Sequence, residues 1–414
     1  MTKDGSYIDL FSGCGGFSLG LGNAGWRGVF AVERDPMAFE TFKYNLIDGK
    51  YGHFDWPDWL PVENTTIQEL LKNHKEHLTS LRGTIDLIAG GPPCQGFSLA
   101  GRRNSNDPRN KLSNEYIKVV DIVRPKFLIL ENVKGFNSKF KDADGVREAK
   151  PYSAIVKEKI QKLGYKVFTD TISSEKFGVP QKRTRFIMLG VRKDLLVDKN
   201  FDPFAILEDL RPAFLKSKKL STKPISVKAA ISDLETDGTE MIYHSGSKES
   251  GFKKIRYKAP AKLNPYQAIM RKGLNGIAPN SLRIARHRPQ TIAKFKLIQK
   301  LCVPGLRLSD EHKKQIGTKK QVISVLDPNK PSRTLTTLPD DLLHYSEPRI
   351  LTVRENARIQ SFPDDYVFCG KYTTGGSRRT QECPRYTQVG NAVPPLLGEA
   401  MGFLINQINS ETTF

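Results

Sequence analysis

The first 190 residues change hydrophobic period again and again. The runs "YIDLF", "VFAVE", "IDLIAG", "KFLILEN", "YKVFTDT" and "RFIMLGV" are short, apolar and rich in Val, Ile and Phe, as buried strands are. Between them, "DPMAFETFKYNL", "SNEYIKVVDIV" and "PYSAIVKEKIQKLG" carry helix-like spacing. Strands alternating with helices predict βαβ units and an α/β fold with a doubly wound, mainly parallel sheet. From Arg192 to Glu347 the rhythm fades into scattered Pro and Gly, weak periodicity and clustered lysines. Order returns with "LTVRENARIQSFP", a capped helix ending before Pro363, and "PPLLGEAMGFLINQI", an apolar helix opened by prolines. The pattern predicts one α/β domain, residues 1–191 and 345–414, interrupted by a smaller, irregular domain at 192–344.

Charge changes this picture more than composition does. Hydrophobic residues at 38% and charged residues at 26% are ordinary for a soluble globular chain of 414 residues. A net charge of +21 is not, and it points to a polyanionic partner. From Ser250 to Ser309 there are fourteen Lys and Arg and no Asp or Glu. A solvated face usually intersperses acids, so this stretch reads as a phosphate-tracking surface, densest from Arg283 to Lys296. The five cysteines, 14, 94, 302, 369 and 383, are odd in number, widely spaced and lack a C-x-x-C pair. Neither a disulfide framework nor a zinc site is indicated, and no metal is expected. With no signal-peptide core and no membrane-length apolar run, the expectation is a cytoplasmic protein.

Several stretches carry chemistry. "DLFSGCGGFSLGLGNAG" is a strand, a glycine-rich turn and a helix, and Gly13, Gly15 and Gly16 would let backbone approach a ligand closely. Glu33 ends the next strand, where a carboxylate can accept hydrogen bonds from ribose hydroxyls. The turn lacks the G-x-x-x-x-G-K-[ST] spacing, which favours an adenosyl ligand without a triphosphate. In "IAGGPPCQGFS", Cys94 follows a strand, two glycines and two prolines, so it sits at a rigid turn beyond a strand end rather than filling core space. Glu131 and Asn132 end another strand along the same sheet edge. Arg183 and Arg185 are two residues apart, which on a strand aims both at one face.

In this order the motifs resemble those of the cytosine-5 DNA methyltransferases, over about Tyr7–Val191 and Pro348–Leu404. "DLFSGCGGFSLG" is similar to the family's S-adenosylmethionine signature and "GPPCQGFS" to its nucleophile motif. "ENV", "QKRTR", "LTVRENARIQSFP" and "QVGNAVPP" complete six ordered motifs. One departure is "NTTIQEL", where Thr66 stands at the place many members give to an Asp that contacts the adenine amino group. The resemblance implies S-adenosylmethionine as cofactor, held by Phe11, Gly13, Gly15, Gly16, Glu33, Leu112, Asn391 and Val393. It implies Cys94 as the nucleophile toward cytosine carbon 6, Glu131 at the base edge, Arg185 at the base carbonyl and Arg183 near the phosphate. Base extrusion from the duplex, at a cost of a few kcal/mol, goes with that chemistry. "SLAGRRNSNDPRNKL" resembles the family's mobile loop, so Arg102, Arg103 and Arg109, with Gln95 and Ser98, are candidate DNA contacts. So are Arg283, Arg286 and Arg288 of the basic stretch and Thr336 in "PSRTLTT". The group that removes the carbon 5 proton is left open, a water chain being one route.

The implied partner is double-stranded DNA, with a cognate restriction endonuclease acting on the same site, in a prokaryotic cytoplasm at the nucleoid; a monomer suffices. An RNA methyltransferase of the same fold is one rival, disfavoured by a recognition segment of about 150 residues that is strongly basic. A binding module that lost activity is another, disfavoured because Cys94, Glu131, Arg183, Arg185 and the glycine turn are all present together.

Overall fold

The computed structural model describes residues 5–93, 111–138, 140–141, 148–196, 201–244, 251–274, 276–374, 378 and 381–412. The chain packs as two compact units, one of residues 1–173, 184–211 and 397–414 and the other of residues 174–183 and 212–396.

The first unit is built on a six-stranded sheet: β1 (Ser6–Leu10), β2 (Arg27–Val32), β3 (Leu87–Gly90), β4 (Phe127–Val133), β5 (Tyr165–Ser173) and β6 (Thr184–Arg192). Their order across the sheet is β2-β1-β3-β4-β6-β5. The first four run parallel, and β6 runs antiparallel to both of its neighbours. All six are the runs expected from the sequence; the inner strands are buried along most of their length, as a sheet covered on both faces requires, while the edge strand β5 is exposed from Thr169 to Thr171. One face, with Ile8, Leu10, Ile88, Leu128 and Leu130, packs on Tyr116, Val119, Val120 and Val123 of the Lys111–Val123 helix. The Tyr116 hydroxyl would be a liability there. It donates instead to the Ile88 and Ile129 carbonyls, both at 3.1 Å. The start of the chain meets its end, since Trp26 Nε1 donates to the Gly402 carbonyl at 3.2 Å within the Pro395–Thr412 helix.

β1 is where the winding of this sheet reverses: the chain leaves it to form β2 on one side and returns to form β3 on the other. Open α/β sheets bind ligands beyond the carboxyl ends of strands at such a reversal. Register fixes what lies there. Leu10 pairs with Gly90, and Gly90 with Leu130, so β1 and β3 end level with Leu130 of β4, which runs on to Val133 beside β6. The glycine turn, the Gly91–Pro93 segment and Glu131 therefore emerge side by side.

The second unit holds short strands and helices around buried charge. Its longer regular elements include the Pro289–Leu301 helix, and Val353–Ile359 begins with a capping box between Thr352 and Glu355. That box is the one anticipated before Pro363. At its centre Arg358, fully buried, donates to both oxygens of Asp233 at 2.9 and 3.0 Å and to Asp364 Oδ2 at 2.6 Å. Arg271 completes the group with a bond to Asp364 at 3.1 Å. No helix among the described residues is long and apolar enough to cross a membrane.

Candidate active site

After β1 the backbone turns through Phe11 (φ +66°), Gly13 (φ +57°) and Gly15 (φ +86°), and Gly16 opens the Gly16–Asn23 helix. Positive φ is cheap for glycine and strained for Phe11, so this turn holds a conformation that an ordinary loop would avoid. A Cβ at Gly13 would meet nothing within 4 Å, so the backbone there faces open space. Glu33 lies just past β2, and both of its oxygens are held by backbone: Gly13 N–H donates to Oε2 at 2.9 Å and Asp35 N–H to Oε1 at 2.8 Å. Burial pushes its pKa above the usual value, against the pull of those two bonds. Each oxygen keeps a lone pair for a diol. Open backbone beside a fixed carboxylate fits the adenosine and methionine portions of S-adenosylmethionine. Leu112 lies half-buried against the core at the start of its helix.

Beneath the turn is an acid that the sequence analysis did not single out. Asp9 is buried, and Ser18 Oγ donates to it at 2.6 Å, tying the strand to the helix that follows the turn. Burial pushes its pKa up to about 7. The available signal was an acid inside the otherwise apolar "YIDLF". Cys14, next to the turn, is also buried, and burial pushes its thiol up to about 12, which makes it inert at neutral pH.

Just beyond the end of β3, Asn132 Nδ2 of β4 donates to the Pro92 carbonyl at 3.1 Å, pinning the proline pair that precedes position 94. A Cβ on Gly91 would come within 3.1 Å of Glu131 Oε2, so a glycine there leaves the carboxylate room. Glu131 Oε1 pairs with Arg185 Nε at 2.7 Å, both side chains being largely buried. Burial holds the Arg185 pKa below its usual value, the Glu131 charge working against this. Arg185 Nη1 is anchored on the Thr184 carbonyl at 2.8 Å. No hydrogen bond from the described residues reaches Glu131 Oε2. The carboxylate is thus fixed at one oxygen and unused at the other.

The expectation that Arg183 and Arg185 share a strand face is corrected. Arg183 falls between the Gln181–Lys182 strand and β6, so strand alternation does not relate the two. Arg183 is buried and donates to the Leu335 carbonyl at 3.3 Å and the Asn391 carbonyl at 3.2 Å. Asn391, exposed, closes the Arg385–Asn391 helix, and Val393 is half-buried just beyond it. Thr336 is exposed, and its hydroxyl bonds within its own loop, to Asp341 Oδ2 at 2.6 Å. Thr66 caps the Ile67–Asn73 helix in a capping box with Glu69. Arg286 and Arg288 are exposed and Arg283 is half-buried. Cys94, Gln95, Ser98, Arg102, Arg103 and Arg109 lie outside the described residues.

The sequence profile of the C-5 cytosine-specific DNA methylases matches residues 5–407. The chain belongs to that family. It is accordingly a DNA (cytosine-5-)-methyltransferase. Among curated relatives it is 33% identical to the Type II methyltransferase M.DdeI of Desulfomicrobium norvegicum over 405 residues, covering 95% of this chain and 86% of that one. It is 30% identical to the Type II methyltransferase M1.HphI of Haemophilus parahaemolyticus over 412 residues, covering 98% and 87%. Among solved structures it resembles a prophage-encoded DNA modification methyltransferase candidate from E. coli. The TM-score is 0.65 at 22% identity, with 98% of this chain and 100% of that one covered. That likeness supports the methyltransferase fold, mainly parallel sheet included.

Proposed function

We propose that the methyl acceptor is carbon 5 of one cytosine in a fixed sequence of duplex DNA, activated by a covalent bond between Cys94 and carbon 6 of the extruded base. Carbon 5 is a poor nucleophile, because its attack disrupts the conjugation of the ring. Addition of the Cys94 thiolate at carbon 6 makes carbon 5 enamine-like, splitting one hard step into easier ones. A free thiol of pKa about 8.5 is ionised to only a few per cent at pH 7, so the proton must leave as attack proceeds. When bound, S-adenosylmethionine supplies an electrophilic methyl group on a sulfonium. The chain's own residues do the rest. Glu33 and the glycine turn orient the cofactor, Glu131 receives the base edge, and Arg185 fixes the carboxylate that does so. Loss of the carbon 5 proton then expels the thiolate and restores the ring.

The supporting observation is the carboxylate of Glu131: one oxygen held by Arg185, the other taken by no hydrogen bond from the described residues, beside the pinned Gly91–Pro93 segment that leads to Cys94. An oxygen in that state can hydrogen-bond the amino group of cytosine or, once protonated, donate to ring nitrogen 3 as charge builds there. Residues 192–344 are proposed as the recognition domain, with Arg283, Arg286, Arg288 and Thr336 toward DNA. Gln95, Ser98, Arg102, Arg103 and Arg109 are proposed on the closing loop, and Arg183, Asn391 and Val393 around the methionine end of the cofactor and the nucleophile. The Type II names of the relatives support a modification role beside a restriction endonuclease; a cytoplasmic, nucleoid-associated monomer is proposed with it. Bisulfite sequencing of a plasmid from an expressing strain tests this. One methylated cytosine in a recurring context is expected, and methylation of transfer RNA with unmodified plasmid would overturn it.

A further inference from the structure

Within the acid-free stretch, Arg283 has surroundings unlike those of its neighbours. Its guanidinium carbon lies 3.6 Å from the centroid of the Tyr372 ring and 4.1 Å from that of Phe252. Tyr372 is itself held: it is buried, its hydroxyl meets His244 Nε2 at 3.1 Å, and its ring also takes the guanidinium of Arg385 at 4.4 Å. The two arginines on this tyrosine differ in one respect. Arg385 is tied down, donating to the Gly370 carbonyl at 2.9 Å and to Ser281 Oγ at 3.2 Å. Arg283 is not, since no acceptor or carboxylate among the described residues takes its donors. None of its nitrogens is a buried donor lacking a partner, so they open to solvent. Four buried arginines of this unit are used up: Arg271, Arg349 and Arg358 on carboxylates, Arg354 on three backbone carbonyls; Arg286 and Arg288 are exposed.

A guanidinium in a fixed plane, with its donors unused and no anion beside it, suits a flat partner bearing two adjacent acceptors. In the major groove of DNA, guanine offers that edge through O6 and N7. A phosphate offers acceptors in every direction and has no need of a plane fixed between two rings. We propose that Arg283 is a specificity-determining residue, held by Phe252 and Tyr372 to read one guanine of the recognised sequence through O6 and N7. This rests on the DNA-methylating reading above and names a base that its target must contain.

The test starts from the site found by bisulfite sequencing and replaces each guanine in turn with 7-deazaguanine, which lacks N7. In the wild type, the analogue at one guanine should lower kcat/KM about tenfold. Arg283→Ala should lose a similar factor on the normal site and nothing more with the analogue. Arg283→Lys should not recover the loss, because a point cation lacks the fork. Thermal midpoints identify any variant that fails to fold, and in that case the analogue series on wild type decides alone. A uniform loss on all duplexes, with the slope of log affinity against log salt reduced by about one, would make Arg283 a phosphate contact and overturn the proposal. So would a site indifferent to every analogue, or full recovery in Arg283→Lys. A wild type that methylates no duplex defeats the underlying reading. A wild type that methylates its site, with unchanged discrimination in Arg283→Ala, defeats this inference alone.

Discussion

Glu131 and Asp364 are both carboxylates buried against arginine, yet they are partnered very differently. Asp364 is saturated: Arg358 reaches both of its oxygens, Arg271 adds another bond, and Asp233 completes the square. Glu131 has one arginine on one oxygen and, among the described residues, no hydrogen bond on the other. Asp9 has no cation among the described residues, only the Ser18 hydroxyl. A saturated cluster has nothing left to offer a ligand and serves the fold; an unsaturated carboxylate at a strand end is poised to take one. The pKa directions at the extremes agree with this ranking. Burial lifts Asp9 to about 7. Glu355 in the second unit is also lifted by burial, but the charge and bonds of Arg349 more than offset it, and its pKa falls below the usual carboxylate range.

Substitutions should separate the two kinds of carboxylate. Glu131→Gln should lower the methyl-transfer rate by about 10²- to 10⁴-fold, the range of a positioned acid–base group. Its denaturation midpoint should fall less than that of Arg358→Met, because the amide oxygen still accepts from Arg185; single-turnover kinetics and chemical melts measure the two effects. Arg358→Met should do the reverse: leaving Asp233 and Asp364 unpaired costs about 3–5 kcal/mol of stability. If it melts like wild type, the saturated cluster is not structural.

Asp9 sharpens the comparison through pH. Its folded pKa lies above its unfolded value, so the folded state binds the proton more tightly. The stability this contributes is full below about pH 4 and is lost as pH rises through about 7. Asp9→Asn should therefore gain stability relative to wild type between pH 5 and pH 8 in urea melts, and a constant difference would argue against a buried, titrating Asp9. The smallest effect belongs to Thr66. Thr66→Ala should cost about 1 kcal/mol through the lost cap, while Thr66→Asp, another good N-cap, should be close to neutral by thermal melt.

Most of the six strands were legible because a strand covered on both faces must be apolar along its length; the edge strand β5, exposed from Thr169 to Thr171, showed through its β-branched and aromatic residues. Their order, and the reversal of β6, were not, since an apolar run carries no direction. Glu131 could be read as a strand-end acid. That Leu10, Gly90 and Leu130 lie level is a property of register, and no single run encodes it. Arg183 and Arg185 parted because alternation holds only inside a strand. The Pro203–Ser217 helix was obscured by Pro212 within it. The acid-free stretch is also less uniformly available than it looked. Arg256 pairs with Glu240 and Arg271 with Asp364, acids from outside the stretch. Charge counted along a chain does not see partners that folding brings in.

The most direct measurement uses duplex DNA carrying 5-fluorocytosine at the methylated position, where fluorine cannot leave as the proton does. With S-adenosylmethionine present, the wild type should form a denaturation-resistant protein–DNA adduct whose proteolytic peptide bears the base on Cys94, and Cys94→Ala should form none. Normal turnover on unmodified DNA without any such adduct, or an adduct that survives in Cys94→Ala, would contradict the account.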